Sequence, residues 1–321
     1  MRSRGILTLA VGKPKHIEMA KSLARSLIIH DPNLKRGIIT DSRDPELGDL
    51  FTYRIHVRSE YGNPLSQKMY LDRYTPFDET LFIANDSLAI HSLDAFWTAF
   101  QSVPFGVSGT RTLRSNDSDE HIHLPFILDR FHLTDIPRAS GAMYYFTRSP
   151  ESAAIFNTAR DLSSHASELH FTNLADCPCK GSVGSADAAF YSVAMAIHGL
   201  SHTDMGNAVS SSVLDSTTHL ELDIPKGICN LVQGGTCFTP DILHLASFAE
   251  SHLYLRECSR LERLAHGHPE LTRSEELQLI STTAVLWMRR KVICSWRRLQ
   301  SFFSTSPSPR MDDIKLRGTV S

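Results

Sequence analysis

The run Gly5–Val11, GILTLAV, followed at once by Gly12-Lys13-Pro14 and then by apolar residues at helical spacing, constrains this chain more than any other feature. An uninterrupted apolar run of that length fits a strand covered on both faces, and Pro14 suits a first helical turn. Ile17, Ala20, Leu23, Ala24, Leu27 and Ile28 then recur on one face, so a helix packs back onto the strand. A second strand, Gly37–Thr40, ends at Asp41, and a short third is predicted at Arg54–Val57. Strands alternating with helices make βαβ units, and hence an α/β domain with a mainly parallel sheet. Ligands of such sheets bind beyond the carboxyl ends of the strands.

The next strand lies in Pro76–Ile90, PFDETLFIANDSLAI, where Asn85, Asp86 and Ser87 interrupt an apolar run. Burying even a neutral polar group without a partner costs about 2–7 kcal/mol. Asp86 therefore stands where the strand ends, or it has a partner, and Asp41 stands at a similar end. Between these strands, Tyr61-Gly62-Asn63-Pro64 is predicted to start a helix carrying Leu65, Lys68, Met69 and Leu71. Ser92 is the expected N-cap of a helix with Leu93, Phe96, Trp97 and Phe100 on one face.

Arg111–Pro137, with its polar centre Ser115–Glu120, reads as an exposed excursion over the cleft or a partly ordered loop. Ser140–Phe146 is a predicted strand, and Ser149-Pro150 opens a helix. A loop at Asp176–Gly184 leads to a helix from Ser185 that Gly199 closes, with Phe190, Val193, Ala194 and Ile197 expected inward. A strand-rich part, Leu220–Phe238, precedes Ile242–Leu245 and a helix from about Phe248.

With 33 cationic and 35 anionic side chains among 321 residues, the chain has no general affinity for nucleic acid. The charge is uneven. From Val285 onward eight Lys/Arg face only Asp312 and Asp313. The first residues do not read as a secretory signal, and no run reaches the roughly 18 apolar residues of a membrane span, so a cytoplasmic location is expected. Six cysteines at irregular spacing suggest a reducing compartment. Cys177 and Cys179 are the only close pair, and no second pair at zinc-site spacing accompanies them, so no metal is assigned there.

Taken in order, ILTLAV with the helix ending AKSLARSL, Lys68, PFDETLFIANDSL, SGAMYYF, SADAAFYSVAMAIHGL and ILHLA resemble the GT-A fold nucleotide-sugar glycosyltransferases. The likeness is greatest to those related to family 8 and covers roughly residues 5 to 260. It implies a GT-A, Rossmann-like mixed sheet flanked by helices over residues 1–265; beyond it, composition alone points to a helical extension at 266–303 and a disordered tail at 304–321. It also implies transfer of a sugar from a nucleotide diphosphate, a UDP-sugar, to a glycan, lipid or protein acceptor, with retention of configuration.

Under that resemblance Ala10 and Val11 pack against the nucleotide base, Asp41 contacts the nucleotide, and Lys68 reaches the phosphates. Asp86 and His244 would hold Mn²⁺ or Mg²⁺, with Asn85 lending a carbonyl. Gly141 would let the sugar or acceptor come close, and Asp187 would stand beside the transferred sugar. The first carboxylate of the family's Asp-x-Asp pair is replaced by Ala84. Each residue also has a plainer role open to it. Asp41 and Asp86 can cap turns, His244 can be a core histidine, Lys68 can be solvated, Gly141 can start a strand, and Asp187 can favour a helix dipole.

Two other functions remain open at this stage. Ala84 suits a non-catalytic relative that binds a nucleotide sugar or a partner. A nucleotidyltransferase is disfavoured, because AVGKPK is poor in the glycine that a triphosphate loop needs. Leu277–Phe303 mixes Trp287, Trp296, Phe302 and Phe303 with five Lys/Arg, the composition of a helix lying peripherally on an anionic membrane.

Overall fold

The computed structural model describes residues 2–63, 66–108, 111–171, 186–203, 205, 208–211, 217–233, 235–245, 252–268, 271–283 and 285. Cys177, Cys179, the loop at Asp176–Gly184 and the segment 286–321 lie outside them. The chain is α/β, built on a mixed sheet of six strands flanked by helices. Strands β1 (Arg4–Ala10), β2 (Lys35–Thr40) and β3 (Tyr53–His56) run parallel, and β4 (Glu79–Ile83) is parallel to β1 on its other side. A short β5 (Ser87–Ala89) follows, then β6 (Phe105–Gly106), β7 (Thr112–Leu113), β8 (Ile136–Pro137) and β9 (Met143–Thr147). The sheet order is β3-β2-β1-β4-β9-β6, with β9 antiparallel to β4 and β6.

Every residue of β4 is buried, as its apolar run requires. Phe82 joins a core with Leu7, Tyr144 and Phe156, while Leu81 and Ile83 join Ile6, Phe96, Phe100 and Tyr145 on the opposite face. This is the two-residue period of a strand between two helical layers. One layer includes α1 (Pro14–His30), which opens on Pro14 as predicted, with α2 (Leu47–Leu50) beside it.

The predicted helix around Lys68 is broken. Gly62 takes φ 84°, Asn63 Oδ1 accepts the Ser66 N–H at 3.0 Å, and Ser66–Tyr70 forms a 3-10 turn before the single turn α3 (Leu71–Tyr74). Ser92 is also displaced from its expected place, because α4 (Asp94–Phe100) begins after Leu93. Its hydroxyl donates to Asp31 Oδ1 at 2.8 Å, and Asp31 Oδ2 accepts the Leu93 N–H at 2.7 Å. The end of α1 thus supplies the acceptor for the start of α4.

Of the two readings open for Arg111–Pro137, the partly ordered one is nearer, and the order exceeds what the polarity suggests. β7 pairs with β8, and α5 (Leu124–Arg130) buries Leu124 and Ile127 beside Leu113, Ile122 and Ile136. Only Arg114–Ser118 is continuously exposed. Ser149 caps α6 (Pro150–Ser164) by accepting the Ser152 N–H at 3.2 Å, as predicted. In α7 (Ala186–Ile197) Phe190, Val193 and Ala194 are buried, but Ile197 stands 37% exposed where the helix unwinds into Gly199 at φ 69°.

The last part contains β10 (Val209–Ser211), the antiparallel β11 (Thr217–Asp223), β12 (Ile228–Gln233) and β13 (Thr236–Phe238), then β14 (Ile242–His244) and α8 (His252–Ala265). β14 pairs antiparallel with β5 and parallel with β10. α8 packs Tyr254 and Leu261 against Met19, Leu88 and Leu243, which ties this helix to α1 and β5.

A buried cation fixes α1. Lys21 Nζ lies 2.6 Å from Asp44, 3.0 Å from Glu46 and 3.0 Å from Glu18, and Arg25 also pairs with Glu46. Burial opposes the ammonium, yet the three carboxylates raise Lys21 above its ordinary value. Lys21 in turn holds Asp44 below the carboxylate range, and Lys21 with Arg25 outweighs burial to hold Glu46 there too. Depressed carboxyls contribute stability above their unfolded values, about pH 4, and lose it as pH falls through the folded ones. Lys21→Met should cost about 3 kcal/mol at pH 7 by urea unfolding. The gap from the parent should narrow below about pH 4, and a gap constant down to pH 2 would contradict this assignment.

Candidate functional site

β1, β2, β3 and β4 end on one edge of the sheet, and the candidate residues gather there. Beyond β1 and β3 lies a cavity of about 420 Å³ whose lining includes Val11, His56, Arg58, Glu60, Gly62 and Gln67. Gln67 is buried and staples the rim, donating to the carbonyls of Arg58 at 3.0 Å and Gly62 at 2.9 Å. Its own oxygen accepts from the Tyr74 hydroxyl, which accepts the Arg58 N–H at 2.8 Å. Of the two residues expected at a nucleotide base, Val11 lines this cavity, whereas Ala10 is buried among Ile17, Ala20 and Ile38. Asp41 accepts the Gly12 N–H at 3.2 and 3.3 Å through its two oxygens and so joins the ends of β1 and β2. Gly12, at φ 85°, takes a conformation that a side chain would strain.

Asn85 and Asp86 form the tip of a turn between β4 and β5, closed by the Ser87 N–H donating to the Ala84 carbonyl at 3.1 Å. Ser87 lies opposite His244 in the β5–β14 register, and the Leu245 N–H donates to the Asp86 carbonyl at 2.9 Å. This pairing brings His244 Nε2 to 3.1 Å from Asp86 Oδ1, although the two residues are 158 positions apart in the chain. Burial opposes the Asp86 charge, but the hydrogen bond and charge of His244, with Lys68 beyond, hold its carboxyl below the ordinary value.

Asn85 turns the other way and donates its amide to the His16 carbonyl at 3.3 Å. His16 itself is pushed down, first by burial and then by Lys15 and Lys13, with Asp86 partly offsetting them. The first turn of α1 therefore faces the same corner as Asp86. No sequence signal marked His16, since a histidine after two lysines reads as a solvated helix start.

Lys68 and Asp187 meet next to this corner. Lys68 Nζ is 3.5 Å from Asp187 Oδ2 and 3.5 Å from the Gly141 carbonyl oxygen, and lies 5.6 Å over the Phe82 ring. Asp187 is 5% exposed, and its Oδ2 accepts the Tyr144 hydroxyl at 2.6 Å. The Tyr191 hydroxyl donates to the Lys68 carbonyl at 2.8 Å. Tyr144 and Tyr191 were not singled out from sequence, because two tyrosines in an apolar strand and helix look like core.

Among the described residues no three His, Cys, Asp or Glu side chains converge as a metal cage. The Asp86 and His244 donors are nonetheless compatible with an ion. Their 3.1 Å separation is close to the ~3 Å between neighbouring corners of an octahedron with bonds near 2.1 Å. Ala84, at the place of a further carboxylate, is 6% exposed. An ion held there would have to draw its remaining ligands from substrate phosphates and water.

No family model matches the chain, and no curated protein matches it. Solved structures of similar shape include three glycosyltransferases. The galactosyltransferase LgtC, with donor and acceptor sugar analogs, is 10% identical, with 84% of this chain and 98% of that one covered and a TM-score of 0.49. Mouse xyloside xylosyltransferase 1 is 10% identical, covering 75% of this chain and 96% of its own, with a TM-score of 0.42. The glycosyltransferase GlyE of Streptococcus pneumoniae TIGR4 is 10% identical over 64% of this chain, with a TM-score of 0.41, and this chain spans only 46% of it. Likeness at this level carries no activity to the chain, so its chemistry rests on the side chains described above.

The corner makes a direct prediction. His16 should titrate below 6.5 by NMR, and Asp86→Asn should lower it further by removing the carboxylate that offsets the neighbouring lysines. An unchanged His16 in Asp86→Asn would place the two groups outside each other's field.

Proposed function

We propose that this chain is a glycosyltransferase that moves a sugar from a nucleotide diphosphate donor, a UDP-sugar, to an acceptor hydroxyl with the help of Mn²⁺ or Mg²⁺. The observation that carries this reading is the Asp86–His244 contact at the tip of β4, beside Lys68 and beyond strand ends that also border the cavity at Val11. A divalent ion held by Asp86 and His244 would supply Lewis-acid neutralisation of the charge that builds on a departing diphosphate. The protein's own residues supply the rest. Val11 and the stapled rim of the cavity receive the nucleoside, and the Lys68 ammonium offers a point charge to the phosphates. The Gly141 carbonyl and the Asp187 carboxylate border the same ammonium, where the sugar would follow the phosphates. Rate enhancement would come from alignment and fixed charge, with no covalent nucleophile needed. Retention of configuration is part of the proposal and is supported by the family 8 motif order.

Ala84 favours a second reading, a relative that binds the nucleotide sugar or a partner without turnover, since its buried methyl stands in place of a metal-binding carboxylate. Release of free UDP from UDP-sugars in the presence of Mn²⁺ separates the two readings. In thermal-shift titrations the parent should be stabilised by UDP more strongly with Mn²⁺ than without. Asp86→Ala and His244→Ala should each weaken the Mn²⁺-dependent affinity more than about tenfold. Variants that respond like the parent would remove both residues from the site.

A peripheral membrane contact is a further part of this reading. Leu277, Ile280 and Val285 are 58%, 51% and 45% exposed on a helical stretch that precedes the basic end of the chain, and no described helix is long and apolar enough to cross a membrane. The full chain should float with phosphatidylserine vesicles at low salt and less in high salt. A chain with serine at all three positions should float less, and equal flotation on neutral vesicles would contradict an electrostatic contact.

A further inference from the structure

Lys68, Asp187 and Tyr144 form a group whose distances are unequal in an informative way. Asp187 Oδ2 serves two donors, and the short contact is the neutral phenol of Tyr144 at 2.6 Å, while the ammonium of Lys68 stands off at 3.5 Å. Asp187 Oδ1 has no hydrogen-bond partner among the described residues, and its side chain is 3% exposed. A buried carboxylate in that state would ordinarily draw the nearest cation into close contact. The phenol stands where it takes up that demand.

Tyr144 is well fixed for the task. Its ring is fully buried and stacks on Phe82 and Phe105 at centroid distances of 5.8 and 6.1 Å, with Tyr191 tilted against it at 4.8 Å. Burial, the Asp187 charge and the hydrogen bond to it push the phenol well above its ordinary value, so it stays a donor at neutral pH. Lys68 is the member of the group nearest the cleft, with 14% of its side chain exposed, and its charge reaches Asp86. Its backbone is anchored independently by Tyr191.

We infer that Tyr144 is a positioning residue of the phosphate site: by occupying Asp187 Oδ2 it keeps the Lys68 ammonium from collapsing onto that carboxylate, and so leaves it exchangeable to a nucleoside diphosphate. Asp187 is then an internal competitor of the diphosphate for Lys68, and Tyr144 weakens that competition. The inference rests on the proposed role of Lys68 at the phosphates and adds the means by which its affinity is set.

Isothermal titration with UDP, inorganic pyrophosphate and uridine tests it. Tyr144→Phe keeps the ring and removes one hydrogen bond to a charged group, so UDP and pyrophosphate should each bind about tenfold more weakly, with uridine unchanged. Asp187→Asn should act in the opposite sense and tighten UDP severalfold, and it serves if Tyr144→Phe does not fold. In a Lys68→Met background, Tyr144→Phe should have no effect on UDP. UDP binding that Tyr144→Phe leaves unchanged, or weakens equally without Lys68, would overturn the inference and leave the glycosyltransferase reading standing. A parent that binds neither UDP nor pyrophosphate would overturn both.

Discussion

The pairing of β5 with β14 is the constraint on which the candidate site depends. Neither strand is long, and each contributes three residues, but their antiparallel register sets Ser87 opposite His244 and thereby fixes the imidazole beside Asp86. The register is held by burial on both sides, since Leu88 and Leu243 share a core with α1 and α8 while Ala89 and Ile242 face the helices on the other side. A slip of one residue would reverse every side chain and separate the pair. The site is therefore a product of packing, in which α8 and α1 hold two short strands together and the strands hold two polar tips together.

Charge is arranged around that point with little waste. Lys68 acts on Asp86 from one side, His16 with Lys13 and Lys15 stands at the start of α1, and Asp187 with Tyr144 lies behind Lys68. The stability of the framework comes from elsewhere, chiefly from the aromatic core along β4 and β9 and from the Lys21 network that clamps α1 to the segment after β2. The candidate site and the framework thus rest on separate sets of charges, and the candidate site includes a buried oxygen, Asp187 Oδ1, that has no hydrogen-bond partner among the described residues.

Much of this was legible in the residues. GILTLAV and LFIA declare buried strands, because apolar side chains on both faces leave no other use for such runs, and the parallel order of the first four strands follows from the helices between them. The turn role of Asn85 and Asp86 and the cap role of Ser149 also follow from local chemistry. That Asp86 should meet His244 was expected from motif order alone, since no local pattern links positions so far apart. What escaped was tertiary. Ser92 shares the start of α4 with Asp31, the residue that follows α1, and the polar stretch near Ser115 masks the short α5 beyond it, whose single two-turn length gives little periodicity to read. Tyr144 and Gln67 look like filler in sequence, and only their partners in space give them a role.

The central claim is that Asp86 and His244 are two ligands of one cation that arrives with a diphosphate. Electron spin-echo envelope modulation on Mn²⁺ bound in the presence of UDP tests it most directly, because a coordinated imidazole nitrogen modulates the echo. The account predicts a nitrogen coupling in the parent that disappears in His244→Ala and a weakened ion in Asp86→Ala. Bound Mn²⁺ with no nitrogen coupling, or a coupling that survives His244→Ala, would contradict it.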